Sequence, residues 1–195
     1  METVTAMHKW ILIPLLLIGA LPAFGQSSAG EAPPGLDASV GYTLARSNVS
    51  SGCGCFWMNG ATAAVSLGLK KNFSAVADFA FLRNGNVQSS GQSLSLFSYM
   101  FGPRFTYRNE SRLTPFAQAL VGGAHAGGSG YSGTGIPLSA LAGAVGGGLN
   151  LRIDSRVEVR LIEAEYFLTH FQNGINSREA TVRISFGLVF PFGKK

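Results

Sequence analysis

Hydrophobic and polar residues alternate along the end of the chain, from Thr181 to Phe192. Even-numbered positions in this segment carry Val, Ile, Phe, Leu, Phe and Phe, whereas odd-numbered positions carry Thr, Arg, Ser, Gly, Val and Pro. A period of two places the apolar side chains on one face of a β-strand and the polar or small ones on the other. About ten such residues suffice for a strand that crosses a membrane. The segment is therefore predicted to be a membrane-spanning strand.

The same alternation recurs earlier in the chain, and polar or glycine-rich stretches between the segments predict turns and loops. The predicted strands are residues 36–46, 59–70, 73–83, 93–107, 115–126, 138–152, 156–169 and 181–192. Connections after the odd-numbered strands are longer than those after the even-numbered ones, as in barrels with short periplasmic turns and longer outer loops. The pattern predicts an all-β fold, a transmembrane eight-stranded antiparallel up-and-down β-barrel with both termini in the periplasm.

A secreted soluble barrel or sandwich would alternate in the same way, but with its apolar face turned inward. Two features favour the membrane barrel. The polar face is rich in Gly, Ala and Ser, which suit a narrow interior, and the apolar face carries aromatic residues near the strand ends, as in interfacial girdles. Charged residues are only 13% of the chain, which is few for a protein whose surface faces water.

The start of the chain has the pattern of a secretory signal peptide, because Lys9 precedes an apolar run, residues 11–18, and small residues follow. The predicted organisation is a signal peptide over residues 1–25, a flexible lead over 26–35, the barrel over 36–192 and a short tail over 193–195. The net charge is +5, but the charges are scattered singly along the strands. Export and this scatter argue against nucleic acid as a partner.

The last strand also resembles the C-terminal sorting signal of outer-membrane barrels, a polar residue followed by a glycine and two large apolar residues at alternate positions. The residues that carry this resemblance are Ser185, Gly187, Phe190 and Phe192. The tail departs from it, because members of the family commonly end on the aromatic residue. With the stretches 101–108 and 114–119, the chain resembles the small eight-stranded barrels typified by the transmembrane domain of outer membrane protein A.

The resemblance implies a location and partners. We expect a monomer in the bacterial outer membrane, surrounded by the lipid bilayer and lipopolysaccharide. The outer-membrane barrel assembly machinery is the expected partner during biogenesis, with the C-terminal signal as the element that it recognises.

Alternation predicts which charged side chains face the lumen. They are Asp78, Arg104, Glu158, Arg160, Glu163, Glu165 and Arg183. Glu163 and Glu165 join this face only if a β-bulge near Leu161 or Ile162 shifts the parity of the seventh strand. Because an eight-stranded barrel is just wide enough for side chains to fill, these charges must pair with one another.

The pairing of these charges has a structural and a functional interpretation. Arg183 is expected to pair with Glu158, Glu163 or Glu165, and Arg104 with Asp78 or the same glutamates. A salt-bridged plug is the favoured interpretation. An ion path through rearranging pairs is the alternative, and an open pore for solutes is disfavoured.

Two cysteines, Cys53 and Cys55, lie in a predicted loop from Ser47 to Met58. An oxidising compartment favours a disulfide between them. Free thiols remain an alternative, and metal binding is a weaker one because no histidine is close in sequence. The loop also carries Phe56 and Trp57, which indicate either a binding surface or a membrane-interface belt; the belt is favoured.

The sequence predicts a non-enzymatic, structural barrel, with no catalytic, cofactor-binding or metal-binding residue. Surface adhesion or ligand binding through the outer loops is the alternative function. A lipid A-modifying enzyme is disfavoured, because the stretch around His170 resembles that of lipid A deacylases but has Gln172 where the nucleophilic serine is needed. His170 is expected in a loop and His125 at the end of a strand.

Overall fold

The structure, a computed structural model, describes residues 35–48, 55–87, 91–108, 111–128, 138–170 and 179–192. The predicted signal peptide, almost all of the lead, the tail and Cys53 lie outside these residues. Among the described residues there is no helix long and apolar enough to cross a membrane.

Eight antiparallel strands close into one barrel, and each pairs with its neighbours in sequence. The strands are β1 (Leu36–Asn48), β2 (Cys55–Lys70), β3 (Phe73–Asn84), β4 (Leu94–Thr106), β5 (Leu113–Gly127), β6 (Leu138–Arg152), β7 (Glu158–His170) and β8 (Glu179–Phe192). The barrel closes where β8 pairs with β1 along its whole length, from Leu36 opposite Phe192 to Ser47 opposite Thr181. The predicted strand number and up-and-down topology are confirmed.

The two ends of the barrel differ in their connections. The connections 71–72, 107–112 and 153–157 lie at the end where β1 begins and β8 finishes, here called the turn end. The other four connections lie at the opposite end, here called the loop end, and three of them are longer than any at the turn end. The predicted rhythm of turns and loops is confirmed in outline.

The first connection at the loop end is shorter than the sequence pattern indicated. The predicted loop ran from Ser47 to Met58, but β1 and β2 stay paired as far as Asn48 opposite Cys55. The side-chain amide of Asn84 on β3 also donates to the carbonyl oxygen of Trp57, at 2.6 Å. Pairing on both sides of β2 therefore extends it into the predicted loop and leaves only residues 49–54 between the strands.

Large apolar side chains cover the outer face of every strand, whereas the inner face carries the charged and most of the small and polar side chains, together with some large apolar ones. On β5 and β6, for example, Val121, Leu141 and Val145 are 68%, 76% and 60% exposed. Water would be an unfavourable environment for such a surface, whereas lipid is a favourable one. Strands of 12 to 16 residues are longer than the 9–11 residues that span a bilayer. The barrel therefore presents an apolar outer surface, as membrane barrels do.

Aromatic contacts occur along the whole outer surface, not only at its rims. Phe73 and Phe105 pack edge-to-face near the turn end, with ring centroids 5.2 Å apart. Phe79 and Phe101 form a second edge-to-face pair nearer the middle of their strands, at 6.3 Å. The expectation that the aromatic residues lie near strand ends is thus only partly met, because these cross-strand pairs also stabilise the middle of the sheet.

A bulge in β7 sets the direction of its acidic side chains. The pairing with β6 shifts between Leu149 and Asn150, and the pairing with β8 shifts between Arg160 and Glu163. Leu161 and Ile162 consequently both face outward. The predicted bulge is confirmed, and it returns Glu163 to the inner face on which Arg160 lies.

Small residues line the inner side of the seam between β8 and β1. Ser185 donates to the hydroxyl oxygen of Thr43 at 2.9 Å, and both side chains are buried. Gly187 lies opposite Gly41, and a Cβ atom added to Gly187 would stand 2.6 Å from the Cα atom of Gly41. Two residues of the predicted sorting signal, Ser185 and Gly187, thus also help to close the barrel.

Candidate functional site

The structure places all seven sequence-predicted lumenal charges inside the barrel. Their exposed fractions are 1% for Asp78, 6% for Arg104, 6% for Glu158, 4% for Arg160, 1% for Glu163, 3% for Glu165 and 2% for Arg183. Buried charges at this depth are tolerated only when they are paired and hydrogen-bonded. Six of the seven form one group with Gln118, which we call the central network, and Glu158 lies apart from it.

Arg183 joins two carboxylates of the central network. Its Nη2 atom donates to Asp78 Oδ1 at 2.7 Å, and its Nε atom donates to Glu165 Oε2 at 2.6 Å. Thr62 gives Asp78 a second donor, with its Oγ1 atom 3.3 Å from Oδ2.

Glu165 was among the expected partners of Arg183. For Arg104, Asp78 and the glutamates were the expected partners, and its Nη2 atom lies at ion-pair distance, 3.9 Å, from Glu163 Oε1. The narrow lumen lets Arg183 on β8 reach across to Asp78 on β3.

Gln118 holds the acidic and basic parts of the network together. Its Nε2 atom donates to Glu163 Oε1 at 2.9 Å and to Glu165 Oε1 at 2.8 Å. Its Oε1 atom accepts a hydrogen bond from Arg104 Nε at 2.8 Å. A neutral amide thus separates two like charges that would otherwise repel each other. The sequence prediction omitted Gln118, although its parity on β5 already indicated an inward direction.

The remaining charges of the network pack against an aromatic ring. Arg160 Nη1 donates to Glu163 Oε2 at 2.8 Å, and its Nε atom lies 3.3 Å from Asn150 Oδ1. The guanidinium carbons of Arg104 and Arg160 lie 4.6 and 5.0 Å from the ring centroid of Phe116. Cation–π attraction to the Phe116 ring stabilises both guanidinium groups in a site with little water. With three arginines and three carboxylates, the central network is neutral.

Glu158 lies nearer the turn end, away from Arg183. Its Oε1 atom is 3.8 Å from Arg152 Nε, an ion-pair distance that is too long for a hydrogen bond. Glu158 begins β7, two residues before Arg160, so it lies in a layer of the lumen nearer the turn end.

Two glycines of β6 provide space for the network. Gly146 lies opposite Glu165 and Gly148 opposite Glu163. A Cβ atom at Gly146 would stand 2.7 Å from Glu165 Cγ, and one at Gly148 would stand 2.7 Å from the Phe116 ring. Neither distance is possible for a real side chain, so glycine at these positions leaves room for the acids and the ring.

The lumen between the central network and the loop end is mainly apolar, although buried hydroxyl groups such as those of Thr169 and Thr181 also lie there. Buried side chains from several strands pack there into a cluster that we call the apolar plug, formed by Phe56, Met58, Leu82, Leu94, Leu96, Met100, Leu120 and Phe167. Val87, in the connection after β3, packs against it. The sequence prediction of a lumen filled by ion pairs is therefore incomplete, because a hydrophobic core fills its other half.

Two small cavities lie within the described part of the barrel. A cavity of about 30 Å³ lies near the turn end, and one of about 10 Å³ lies beside Gly41 and Gly187. Spaces of this size hold ordered water or one small ion, but no larger solute. In the described part of the chain, no group of three or more His, Cys, Asp or Glu side chains is arranged to hold a metal ion.

The loop-end aromatic residues point in different directions. Phe56 and Met58 are 5% and 2% exposed and face the lumen, whereas Trp57 is 55% exposed and faces outward. The guanidinium of Arg46 lies 5.8 Å from the Trp57 ring centroid. The sequence interpretation of all three as loop residues was therefore wrong, and only Trp57 has the position of a membrane-interface residue.

The other candidate residues lie at the loop end or outside the described part. Cys55 begins β2, but Cys53 is not described, so the disulfide stays a prediction. His125 faces outward near the end of β5, with its Nδ1 atom 2.7 Å from Ser139 Oγ and its ring 5.7 Å from that of Tyr99. His170 ends β7, and its side chain lies outside the described residues.

Comparison with known proteins identifies the fold but no sequence family. No family model and no curated protein matches the chain. Among solved structures, Neisserial surface protein A aligns with a TM-score of 0.63 and 15% identity, over 80% of this chain and 97% of its own. The attachment invasion locus protein Ail of Yersinia pestis gives 0.58 and 18%, over 82% and 99%. The N-terminal β-barrel domain of OprF from Pseudomonas aeruginosa gives 0.55 and 8%, over 83% and 100%.

These similarities establish the fold, and the chain's own surface establishes its environment. The apolar side chains of all eight strands form a belt around the barrel, while seven charged side chains are enclosed in the lumen. Closed barrels with this surface span the outer membranes of Gram-negative bacteria, because closure satisfies every backbone group of the sheet within the hydrocarbon region. The chain therefore has the fold and the surface of a bacterial outer-membrane β-barrel.

Proposed function

We propose that the protein is a non-enzymatic, structural barrel of the outer membrane whose lumen does not conduct solutes. One observation carries the proposal: the lumen is filled in two layers, the neutral central network and the apolar plug. An ion would have to displace paired charges in the first layer and cross an unhydrated region in the second. Both steps are costly, because an ion loses its hydration without gaining a fixed partner.

The proposal includes an orientation and partners. The turn end faces the periplasm and the loop end faces the cell exterior, as in other outer-membrane barrels. The outward belt contacts the bilayer and, on its outer half, lipopolysaccharide. The protein is a monomer, and the barrel assembly machinery inserts it by binding the C-terminal signal that ends in Phe190 and Phe192.

The absence of enzymatic activity is part of the proposal and has a specific rival. His125 and Ser139 are hydrogen-bonded on the lipid-facing surface near the loop end, a combination found in nucleophilic hydrolases. Tyr99 packs beside the His125 ring and does not supply the acidic partner that orients a catalytic histidine. We expect no release of fatty acids when the folded protein is incubated with phospholipid or lipid A. Release that Ser139→Ala abolishes would contradict a structural role.

The test of the closed lumen is a conductance measurement. The protein, refolded in detergent and shown by gel mobility to be folded, is inserted into planar bilayers in 1 M KCl, and a general porin provides the positive control. We expect no stepwise conductance for the wild type. Regular channel openings would overturn the proposal, and a variant that unfolds the network, Arg183→Met, would then show whether the lumen is the path.

Loop deletions separate a structural role from surface adhesion. Each loop-end connection is shortened in turn, and envelope permeability and adhesion of intact cells to host surfaces are measured. A structural role predicts permeability defects whichever loop is shortened. Loss of adhesion from one loop alone would favour the binding function instead.

A further inference from the structure

One sector of the barrel carries exposed cations without acidic neighbours in the chain. Between Asp37 and Glu110 the sequence contains a single acidic residue, Asp78, which lies in the central network. The same stretch contains six basic residues, Arg46, Lys70, Lys71, Arg83, Arg104 and Arg108. Arg104 belongs to the central network, whereas the other five are exposed. The exposed surface of β1 to β4 is therefore positively charged.

A second β-bulge turns Lys70 towards the outer surface. The pairing of β2 with β3 shifts between Gly68 and Lys70, so Leu69 is the extra residue. Lys70 then pairs with Phe73, and residues paired across an antiparallel ladder share a face. Regular alternation would have placed Lys70 on the inner face with Gly68. Lys70 instead lies beside the outward-facing Phe73, and Lys71 follows in the turn between the strands.

Aromatic side chains continue this surface onto β4. The backbone N–H of Thr106 donates to the carbonyl oxygen of Asn72 at 2.8 Å, which holds the end of β4 against the turn. Phe105 packs on Phe73, and Tyr107, two residues after Phe105, is 55% exposed. Tyrosine at the edge of an apolar belt lies at the level of the lipid headgroups. The two lysines and Tyr107 thus lie along the same edge of the belt.

The height of the barrel also places this edge at a membrane interface. Phe73 begins β3, and Arg83 lies ten positions later on the same outward face. Ten residues of a strand tilted by about 40° rise about 25 Å along the membrane normal, the usual height of the apolar band in such barrels. Arg83 and Lys70 therefore mark opposite edges of the band.

We propose that the turn end of β2 to β4 binds the headgroup of an anionic phospholipid. The ammonium groups of Lys70 and Lys71 hold the phosphate, and the Tyr107 hydroxyl donates a hydrogen bond to it. Phe73 packs against the first part of the acyl chains. Lysines at a membrane surface reach towards the headgroups and bind anionic ones more strongly than neutral ones. The site rests on the proposed membrane position of the barrel but not on its closed lumen.

Native mass spectrometry measures the bound lipid directly. The detergent-folded protein is mixed with equal amounts of phosphatidylglycerol and phosphatidylcholine that have the same acyl chains. We expect the wild type to retain one phosphatidylglycerol in preference to phosphatidylcholine, whose choline group neutralises the phosphate. Equal retention of the two lipids would overturn the proposal, whatever the conductance of the lumen.

A soluble competitor separates a lipid from a free phosphate group. Glycerol 3-phosphate in excess should not displace the bound phosphatidylglycerol, because it has no acyl chains to contact Phe73. Displacement would show that the surface recognises phosphate alone and would refute a lipid site.

Two double variants of equal charge locate the site. Lys70→Gln with Lys71→Gln should weaken phosphatidylglycerol binding about thirtyfold, because each cation beside an anionic headgroup contributes about fivefold. Arg112→Gln with Arg156→Gln removes the same charge from exposed positions elsewhere at the turn end and should bind as the wild type does. Equal losses in both double variants would show that the total charge of this end attracts the lipid, and would refute the site.

Conservative variants test the chemistry of the contact. Lys70→Arg with Lys71→Arg keeps both charges and should retain the lipid. Tyr107→Phe should weaken binding about tenfold, the effect of losing one hydrogen bond to a charged group. All three side chains are exposed, so each variant should fold, which gel mobility checks. Loss of phosphatidylglycerol preference in the Lys→Arg double variant would contradict an electrostatic site and overturn the proposal.

Discussion

Arg183 on β8 and Asp78 on β3 lie 105 positions apart in the chain, and their side chains meet in the lumen with Nη2 and Oδ1 2.7 Å apart. The same guanidinium donates to Glu165 on β7. One cation therefore links carboxylates on two strands that are not neighbours in the barrel. Because each of the three side chains is at most 3% exposed, water is a poor substitute for any of them.

Arg183→Met should destabilise the barrel strongly. The substitution leaves two buried carboxylates without their cation, which typically costs about 3–5 kcal/mol. Adding Asp78→Asn in the same chain should recover part of this loss, because one of the unpaired charges is then absent. The measurement is the free energy of unfolding in urea, followed by fluorescence in detergent micelles.

The control for this prediction is Arg83→Met, which removes an exposed arginine at the outer surface. It should change the unfolding free energy little. If the effects of Arg183→Met and Asp78→Asn are strictly additive, the two side chains do not interact and the assigned pair is wrong.

Gln118 gives a second prediction, because it touches both glutamates and one arginine. Gln118→Glu removes two N–H donors and places a third carboxylate against Glu163 and Glu165. We expect a loss of about 3–5 kcal/mol, the usual effect of an uncompensated buried charge. The uncharged variant Gln118→Met should lose less, since it adds no repulsion.

The comparison of these two variants tests the role of the amide. Urea midpoints and their slopes should be compared under the same detergent conditions. A Gln118→Glu protein as stable as the wild type would show that the carboxylates do not interact through this position.

Alternation along the chain was sufficient to predict the barrel and the direction of its side chains. A period of two fixes which face a residue occupies, and the break in that period on the seventh strand located the bulge at Leu161 and Ile162. The inward direction of Arg104 and Arg183 follows from the same rule. These features depend on residues that are close together in the chain, so they can be predicted from the sequence alone.

The contacts inside the lumen depend on more than local sequence. The stagger of the strands in the closed sheet decides whether Asp78 pairs with Arg104 or with Arg183. The alternation pattern gives the face that each residue occupies but not this stagger.

The parity of Gln118 was visible, and Arg104 lies directly opposite it on the adjacent strand β4. Its other two partners, Glu163 and Glu165, lie on β7, which does not pair with β5, so strand pairing alone does not bring them together. Phe56 was assigned to a loop because it follows a cysteine- and glycine-rich stretch, whereas cross-strand pairing continues beyond that signal.

The two cysteines allow a prediction about the loop end. Cys53 and Cys55 are expected to be oxidised to each other on the outer surface. A thiol reagent that does not cross membranes should label intact cells only after reduction. Labelling without a reductant would contradict the disulfide, and failure to label after reduction would contradict exposure of this connection.

Two glycines of the same strand give the sharpest test of the lumenal packing. Gly146 faces the lumen, where an added Cβ atom would stand 2.7 Å from Glu165 Cγ and even closer to the carbonyl oxygen of Ala164. Gly143 faces outward, where the nearest atom to an added Cβ would be the carbonyl oxygen of Leu120 at 3.7 Å. A glycine-to-alanine substitution therefore causes a steric clash on the inner face, at Gly146, but has open space on the outer face, at Gly143.

Gly146→Ala should lower the unfolding free energy by about 1–3 kcal/mol, the usual effect of overpacking. Gly143→Ala should be neutral or slightly stabilising, because alanine loses less conformational entropy than glycine when a strand forms. Urea titrations of both variants in one detergent decide the matter. Equal effects would mean that strand propensity alone determines the response. Destabilisation confined to Gly146→Ala would show that the atoms packed around this glycine, the carbonyl oxygen of Ala164 and the Glu165 residue, leave no room for a Cβ atom.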